Sequence, residues 1–205
     1  PNIQIISNLL IEKSVKTKLR NQLCGELDEN FIDQEVFLSG WVQRRRDHGG
    51  VIFIDLRDRS GIVQVVFHPD SEQSFSVAET VRNEYVLHIT GAIRRRPEGT
   101  INKDIKSGDI EVMASATTIL NNCQPLPFLL EDAETSEAVR LRYRYLDLRT
   151  PRMQRNLRYR HKLIKTMRQY LDDRDFVEIE TPILTRSTPE GARDYLVPSR
   201  VHPGN

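Results

Sequence analysis

Ile52-Phe53-Ile54-Asp55-Leu56-Arg57 alternates strictly, and four residues later Ile62-Val63-Gln64-Val65-Val66-Phe67 is apolar at every position but one. A period of two belongs to an extended strand, so Ile52, Ile54 and Leu56 share one face while Phe53, Asp55 and Arg57 share the other. The four residues between the runs, Asp58-Arg59-Ser60-Gly61, are turn formers, with glycine supplying positive φ. The two runs therefore form a hairpin with one face committed to a core. Its other face sets Phe53 among charges, just beyond the triplet Arg44-Arg45-Arg46. An exposed ring beside guanidinium groups suits an unpaired nucleotide, the ring stacking on a base and the cations meeting phosphate. A phenylalanine half covered by a neighbouring loop satisfies the same pattern.

The surrounding segments extend this hairpin into a larger all-β unit. Val36 to Val42 alternates before it. After it, a helix is expected over 71–83, with Ser71 as N-cap and Val77, Ala78 and Val81 facing inward. Strands follow at Tyr85 to Ile93 and Asp109 to Met113. Three strands, a helix and two more strands is the order of a five-stranded OB-fold barrel. The connection between the last two strands holds a second triplet, Arg94-Arg95-Arg96, so two basic loops are expected to flank one binding face.

The formal net charge of the 205 residues is only +1, which excludes a globally basic nucleic-acid coat. Its distribution is uneven: from Arg140 to Arg168 there are 11 Lys or Arg against one acid, Asp147. Such a band fits an anionic partner, or the solvated face of a helix. Cys24 and Cys123 are far apart and belong to no metal-ligand spacing, so neither zinc nor a disulfide framework is indicated and a reducing cytoplasm is expected. No apolar run approaches the ~18 residues of a membrane span. Residues 1–20 lack the features of a secretory signal and read as a frayed or locally helical extension.

The barrel is expected over 21–120 and a linker over 121–139, where Pro125 and Pro127 break regular structure and Glu131, Asp132, Glu134 and Glu137 make it acidic. Residues 140–205 begin a second, α/β domain. Thr150-Pro151 is a helix start, an N-cap followed by proline at the first helical position. Leu157, Leu163, Ile164, Met167, Tyr170 and Leu171 continue it as an apolar stripe, and Phe176 to Glu180 reads as a strand ended by Thr181-Pro182.

Arg174-Asp175-Phe176-Val177-Glu178-Ile179-Glu180-Thr181-Pro182-Ile183-Leu184, at the end of that helix, resembles motif 1 of class II aminoacyl-tRNA synthetases. With Arg142 to Arg149 before the helix and Thr188 to Arg200 after it, the match is close to the bacterial-type aspartyl-tRNA synthetases. Gly40-Trp41-Val42 and Arg44 to Asp58 look like the anticodon-binding domain of the same family. The resemblance runs from about Gln22 to Gly204. It implies an OB barrel followed by the start of an antiparallel-sheet catalytic domain, with Phe53 stacked on the central anticodon base and Gln64 and Glu111 bonded to anticodon bases. Arg44, Arg45 and Arg46 then serve tRNA binding. From the residues alone, Gln64 interrupts an apolar strand and Glu111 is the odd acid in Ile110-Glu111-Val112; polar side chains in such positions need partners.

The resemblance further implies that Pro182 lies at a homodimer interface and that Glu190, on a mobile loop, meets the ammonium group of L-aspartate. His48, Gly49, Gly50 and Gly99 match positions that in the family accompany charging of tRNA-Asn as well as tRNA-Asp. The implied chemistry joins aspartate to the α-phosphate of ATP with Mg²⁺ neutralising the phosphates, then passes the aspartyl group to tRNA. The arginines that clamp ATP belong to motifs 2 and 3, which are not found here, so no catalytic residue and no metal ligand is assigned, and ATP and Mg²⁺ are expected to bind elsewhere in a longer protein. Neither DNA nor a membrane is expected as a partner. A truncated paralogue that captures tRNA without catalysis is the alternative, and Glu190 with its surroundings favours the ligase. Asparaginyl- and lysyl-tRNA synthetases share the barrel and motif 1, and Thr188 to Arg200 argues against them.

Overall fold

The computed structural model describes residues 19–132, 134–184, 195 and 197–202. The chain divides into two units, one ending at Pro127 and the other starting at Phe128, a boundary inside the segment read as a linker.

The first unit is a closed barrel of five strands: β1 (Glu35–Asp47), β2 (Ile52–Arg57), β3 (Ile62–Phe67), β4 (Val86–Arg95) and β5 (Ile110–Asn121). The order around the barrel is β1-β2-β3-β5-β4, and only β3 and β5 pair in parallel. Helix α1 (Glu72–Thr80) lies between β3 and β4 in sequence, as the OB order requires. The alternation seen in the sequence decides the packing: Ile52, Ile54 and Leu56 are buried opposite Phe67, Val65 and Val63. Leu38, Ile89, Ile93 and Val112 close the same core from β1, β4 and β5, and Ala78 and Val81 cover it from the helix side.

Three strands run longer than expected. β1 continues through Arg44-Arg45-Arg46 and β4 through Arg95, so neither triplet is a loop except at Arg96, and β5 reaches Asn121. The cause is closure: β1 pairs with β4 over its first half and β2 over its second, so a neighbour's hydrogen bonds hold polar residues in strand geometry. Ser71 does precede α1, but its hydroxyl makes no cap bond; its carbonyl accepts from Phe75 N–H instead.

A short 3-10 turn at Cys24–Glu26 seals one side of the β2–β3 hairpin. Asp58 organises this contact. Its Oδ1 accepts from Ser60 N–H at 2.7 Å, and its Oδ2 accepts from Cys24 N–H at 2.8 Å. Gly25 is required by proximity, since a Cβ there would lie 2.4 Å from the Ser60 carbonyl oxygen. Burial, and then the Asp58 carboxylate, push the Cys24 thiol pKa well up.

The second unit holds α2 (Glu137–Arg142), α3 (Arg144–Asp147) and α4 (Pro151–Asp172). Thr150 caps α4 as its sequence position predicts, its Oγ1 accepting from Met153 N–H at 3.4 Å while Pro151 opens the helix. Asp147 is fully buried and faces Arg140 and Arg144. The predicted strand at 176–180 does not form. Those residues are not assigned to a strand and are exposed, because an extended segment becomes a strand only when a neighbour satisfies its backbone groups, and no pairing is made there among the described residues. Helix α4 is therefore present without the strand expected after it among the described residues. Residues 1–18, Glu190 and most of Thr188 to Arg200 lie outside the described residues, as does Gly204.

Candidate nucleic-acid interface

Strand alternation alone would place Arg44 and Arg46 on the same face as Val42, inside the barrel. A β-bulge prevents this. Val42 pairs with Leu56 and Arg44 with Asp55, so Gln43 is an extra residue and parity inverts beyond it. Arg44 and Arg46 move to the outer face, opposite Asp55 and Phe53, while Arg45 falls opposite Ile54. The triplet is thus divided, and the expectation that all three arginines share a binding face is corrected for Arg45. Its Nε donates to the Ala78 carbonyl at 3.0 Å, near the C-terminal end of α1, where a cation is favoured by the exposed carbonyls.

On the outer face one polar chain crosses all five strands. Arg46 of β1 pairs with Asp55 of β2 and donates through Nη2 to Gln64 Oε1 of β3 at 3.3 Å. Gln64 Nε2 donates to Glu111 Oε2 of β5 at 2.9 Å, and Glu111 Oε1 accepts from Arg94 Nε of β4 at 2.7 Å. Gln64 stands between a cation and an anion, an arrangement that fixes which end of its amide accepts and which donates. Gln64 and Glu111 are nearly inaccessible, at 6% and 2%, although they point away from the apolar core. Arg46 lies against Gln64 and Arg94 against Glu111. A carboxylate so enclosed is tolerable only because both oxygens are engaged.

Phe53 adjoins this chain, directly across from Arg46 on one side and Val66 on the other, and is half-buried. The His48 ring meets it in an edge-to-face arrangement, 5.8 Å between centroids with 64° between planes. His48 opens the β1–β2 turn, in which Gly49 and Gly50 both take positive φ, 62° and 98°, the geometry of a tight hairpin. Gly99 has φ 83° in the exposed connection between β4 and β5, and open space where a Cβ would be.

Arg96 was expected in a basic loop, yet it is buried at 6% exposure. Its Nε donates to the Ile110 carbonyl at 2.9 Å, tying the β4–β5 connection to the start of β5. Burial lowers its pKa, and the nearby Glu111 and Asp55 carboxylates oppose that shift. Arg46 Nε and Arg96 Nη2 are buried donors without a hydrogen-bond partner among the described residues. Asp55 was not among the expected site residues, and Arg94 was expected only as part of a basic loop flanking the face. The signal for Asp55 was its place beside Phe53 in the alternation, whereas Arg94 required the β4–β5 register, which sets it opposite Glu111.

In the second unit Pro182 is exposed. The apolar stripe of α4 is exposed too, with Leu157 at 41%, Leu163 at 49% and Met167 at 59%, and the helix buries no residue. His161, Ile164, Leu171, Phe176 and Val177 line an open groove of about 600 Å³. Among the described residues no helix is long and apolar enough to cross a membrane.

Residues 36–120 match the family of OB-fold nucleic acid binding domains, and residues 136–205 match the class II tRNA synthetases (D, K and N). The chain is 55% identical over 195 residues to an aspartate–tRNA(Asp/Asn) ligase of Halothermothrix orenii, covering 94% of this chain and 33% of that protein. It is 58% identical over 187 residues to the ligase of the same name in Heliobacterium modesticaldum, covering 90% of this chain and 31% of that one. The chain thus spans about a third of the length of these curated relatives. Among solved structures, asparaginyl-tRNA synthetase from Pyrococcus horikoshii, complexed with asparaginyl-adenylate, is similar with a TM-score of 0.72 and 26% identity over 83% of this chain and 38% of that one. Aspartyl-tRNA synthetase from Entamoeba histolytica shares the fold, with a TM-score of 0.73 and 22% identity over 82% of this chain and 40% of that one.

Proposed function

We propose, on the premise that this chain belongs to the class II tRNA synthetases (D, K and N), that the whole protein is an aspartate–tRNA ligase whose barrel reads the anticodon of tRNA-Asp. The observation that carries this reading is the five-strand polar chain beside Phe53. Stacking on Phe53 holds a splayed base, and Gln64, Glu111, Arg46 and Arg94 present a fixed pattern of donors and acceptors beside it. Arg44, exposed at the rim of the same face, meets phosphate. The network discriminates because a base that breaks one of these internal bonds without replacing it leaves a buried polar group unpaired.

We assign tRNA-Asn as a second substrate, on the Asp/Asn naming of both curated relatives and on His48, whose ring borders Phe53. Gly49, Gly50 and Gly99 keep the surrounding turns low and leave space for a different anticodon. Pro182 and the exposed α4 stripe are assigned to a homodimer interface, and Glu190 to L-aspartate. ATP and Mg²⁺ are assigned to the part of the relatives' length that this chain does not span. That pair supplies the activated phosphate for aspartate. The place of action is the cytoplasm, with the rest of translation.

Binding of an anticodon stem-loop of tRNA-Asp to the chain tests the central assignment. Phe53→Ala should weaken it by ~1–3 kcal/mol, the usual worth of one base stack. Affinity unchanged by Phe53→Ala, or equal affinity for a stem-loop with an unrelated anticodon, refutes it.

A further inference from the structure

Glu84 and Arg57 form an ion pair that takes no part in the polar chain across the outer face. Both Glu84 carboxylate oxygens lie 2.9 Å from Arg57 Nη2, and Glu84 is only 7% exposed. Glu84 has φ 64°, a conformation few residues other than glycine adopt. In that conformation its N–H donates to the Val42 carbonyl at 2.6 Å, and Val42 N–H donates to the Tyr85 carbonyl at 2.9 Å. Arg57 stands opposite Trp41 in the β1–β2 ladder. The two residues that precede the Gln43 bulge are therefore held from β2 by the ladder at Arg57 and from the turn before β4 by the backbone of Glu84 and Tyr85, and the ion pair ties these two holds together.

We propose that Glu84, through Arg57, is a positioning residue for RNA recognition: the pair holds the bulge at Gln43 and so decides that Arg44 and Arg46, rather than Arg45, stand on the face of Phe53. The inference rests on the reading of that face as the anticodon interface. Its physical basis is the period of a strand: erasing the extra residue shifts β1 by one and exchanges the two faces for every side chain beyond Val42. Arg46 would leave Asp55 and Gln64, and Arg45 would take its place. The run Gln43 to Asp47 is polar throughout, so its own hydrophobicity does not specify the register. A buried ion pair is a costly way to gain stability, and fixing a register is its best-attested use.

The test is stem-loop binding to the 205-residue chain, with Glu84→Gly as the principal variant, because glycine keeps the backbone N–H and the positive φ while removing the carboxylate. Arg46→Ala should weaken binding about tenfold, in line with loss of a charged hydrogen bond. Glu84→Gly should weaken it to a similar degree, with no further loss in the double variant, because both act through Arg46. Cross-strand NOEs should move from Arg46–Phe53 towards Arg45–Phe53, and Glu84→Asp should restore part of the affinity. A purely structural role would lower the melting temperature and leave the affinity of the folded protein intact. Parent-like binding by Glu84→Gly, or full additivity, overturns the proposal while Arg46→Ala and Phe53→Ala keep the interface standing. If those two variants also bind like the parent, the interface reading falls and the positioning role falls with it.

Discussion

The barrel and the long helix α4 are built from equally regular sequence patterns, yet one buries its apolar face and the other does not. Strands β1 to β5 close on themselves, and Leu38, Ile52, Ile54, Leu56 and Ile89 are fully inaccessible. In α4 the apolar stripe is as periodic as any strand, and no residue of the helix is buried. A closed barrel satisfies its own edges and supplies its own core. A single amphipathic helix needs a second surface, because most of its stability comes from packing rather than propensity. The two units therefore place their functional information differently: the barrel holds a completed polar site, and the helical unit exposes a surface.

The largest expected effect follows from that contrast. Ile54→Ala should destabilise the barrel by about 2–5 kcal/mol, measured by denaturant unfolding, because it removes a fully buried side chain from a closed core. A cost near zero would mean that the barrel is not a self-contained core. Next comes Glu111→Ala, which leaves Gln64 Nε2 without its acceptor and frees Arg94; a loss of about 1–3 kcal/mol in folding stability is expected, together with loss of discrimination between stem-loops. Leu163→Ala in α4 should stay within about 0.5 kcal/mol in this chain, since the side chain is 49% exposed. A cost as large as that of Ile54→Ala would show that the helix already has a packing partner.

The smallest effect concerns alkaline pH. Burial raises the Cys24 pKa above its unfolded value, so the folded state holds the thiol proton more tightly. Its contribution is complete below the ordinary thiol range and is lost as pH rises through that range towards the folded value. Denaturant midpoints of the parent should fall with rising alkaline pH more steeply than those of Cys24→Ala; parallel profiles would contradict the assignment.

Much of this was legible in the residues. The alternation of Ile52 to Arg57 set Phe53 and Asp55 outward, the break at Gln64 marked a polar position in an apolar strand, and Thr150-Pro151 announced α4. The strand at 176–180 was misread because its alternation records a face to be covered, while strand formation also needs a neighbouring backbone. Arg96 was misread because a long polar side chain gives no local sign that a barrel will bury it.

Composition and periodicity by themselves determined which residues alternate, where the turns fall and which polar side chains interrupt an apolar run, since these depend on the local geometry of a strand or helix. Only the tertiary structure decided that Arg44 and Arg46 share a face with Phe53, and that Gln64 and Glu111 meet although 47 positions separate them. A bulge and a barrel closure are properties of strand pairing, and pairing is settled between segments that no local period connects.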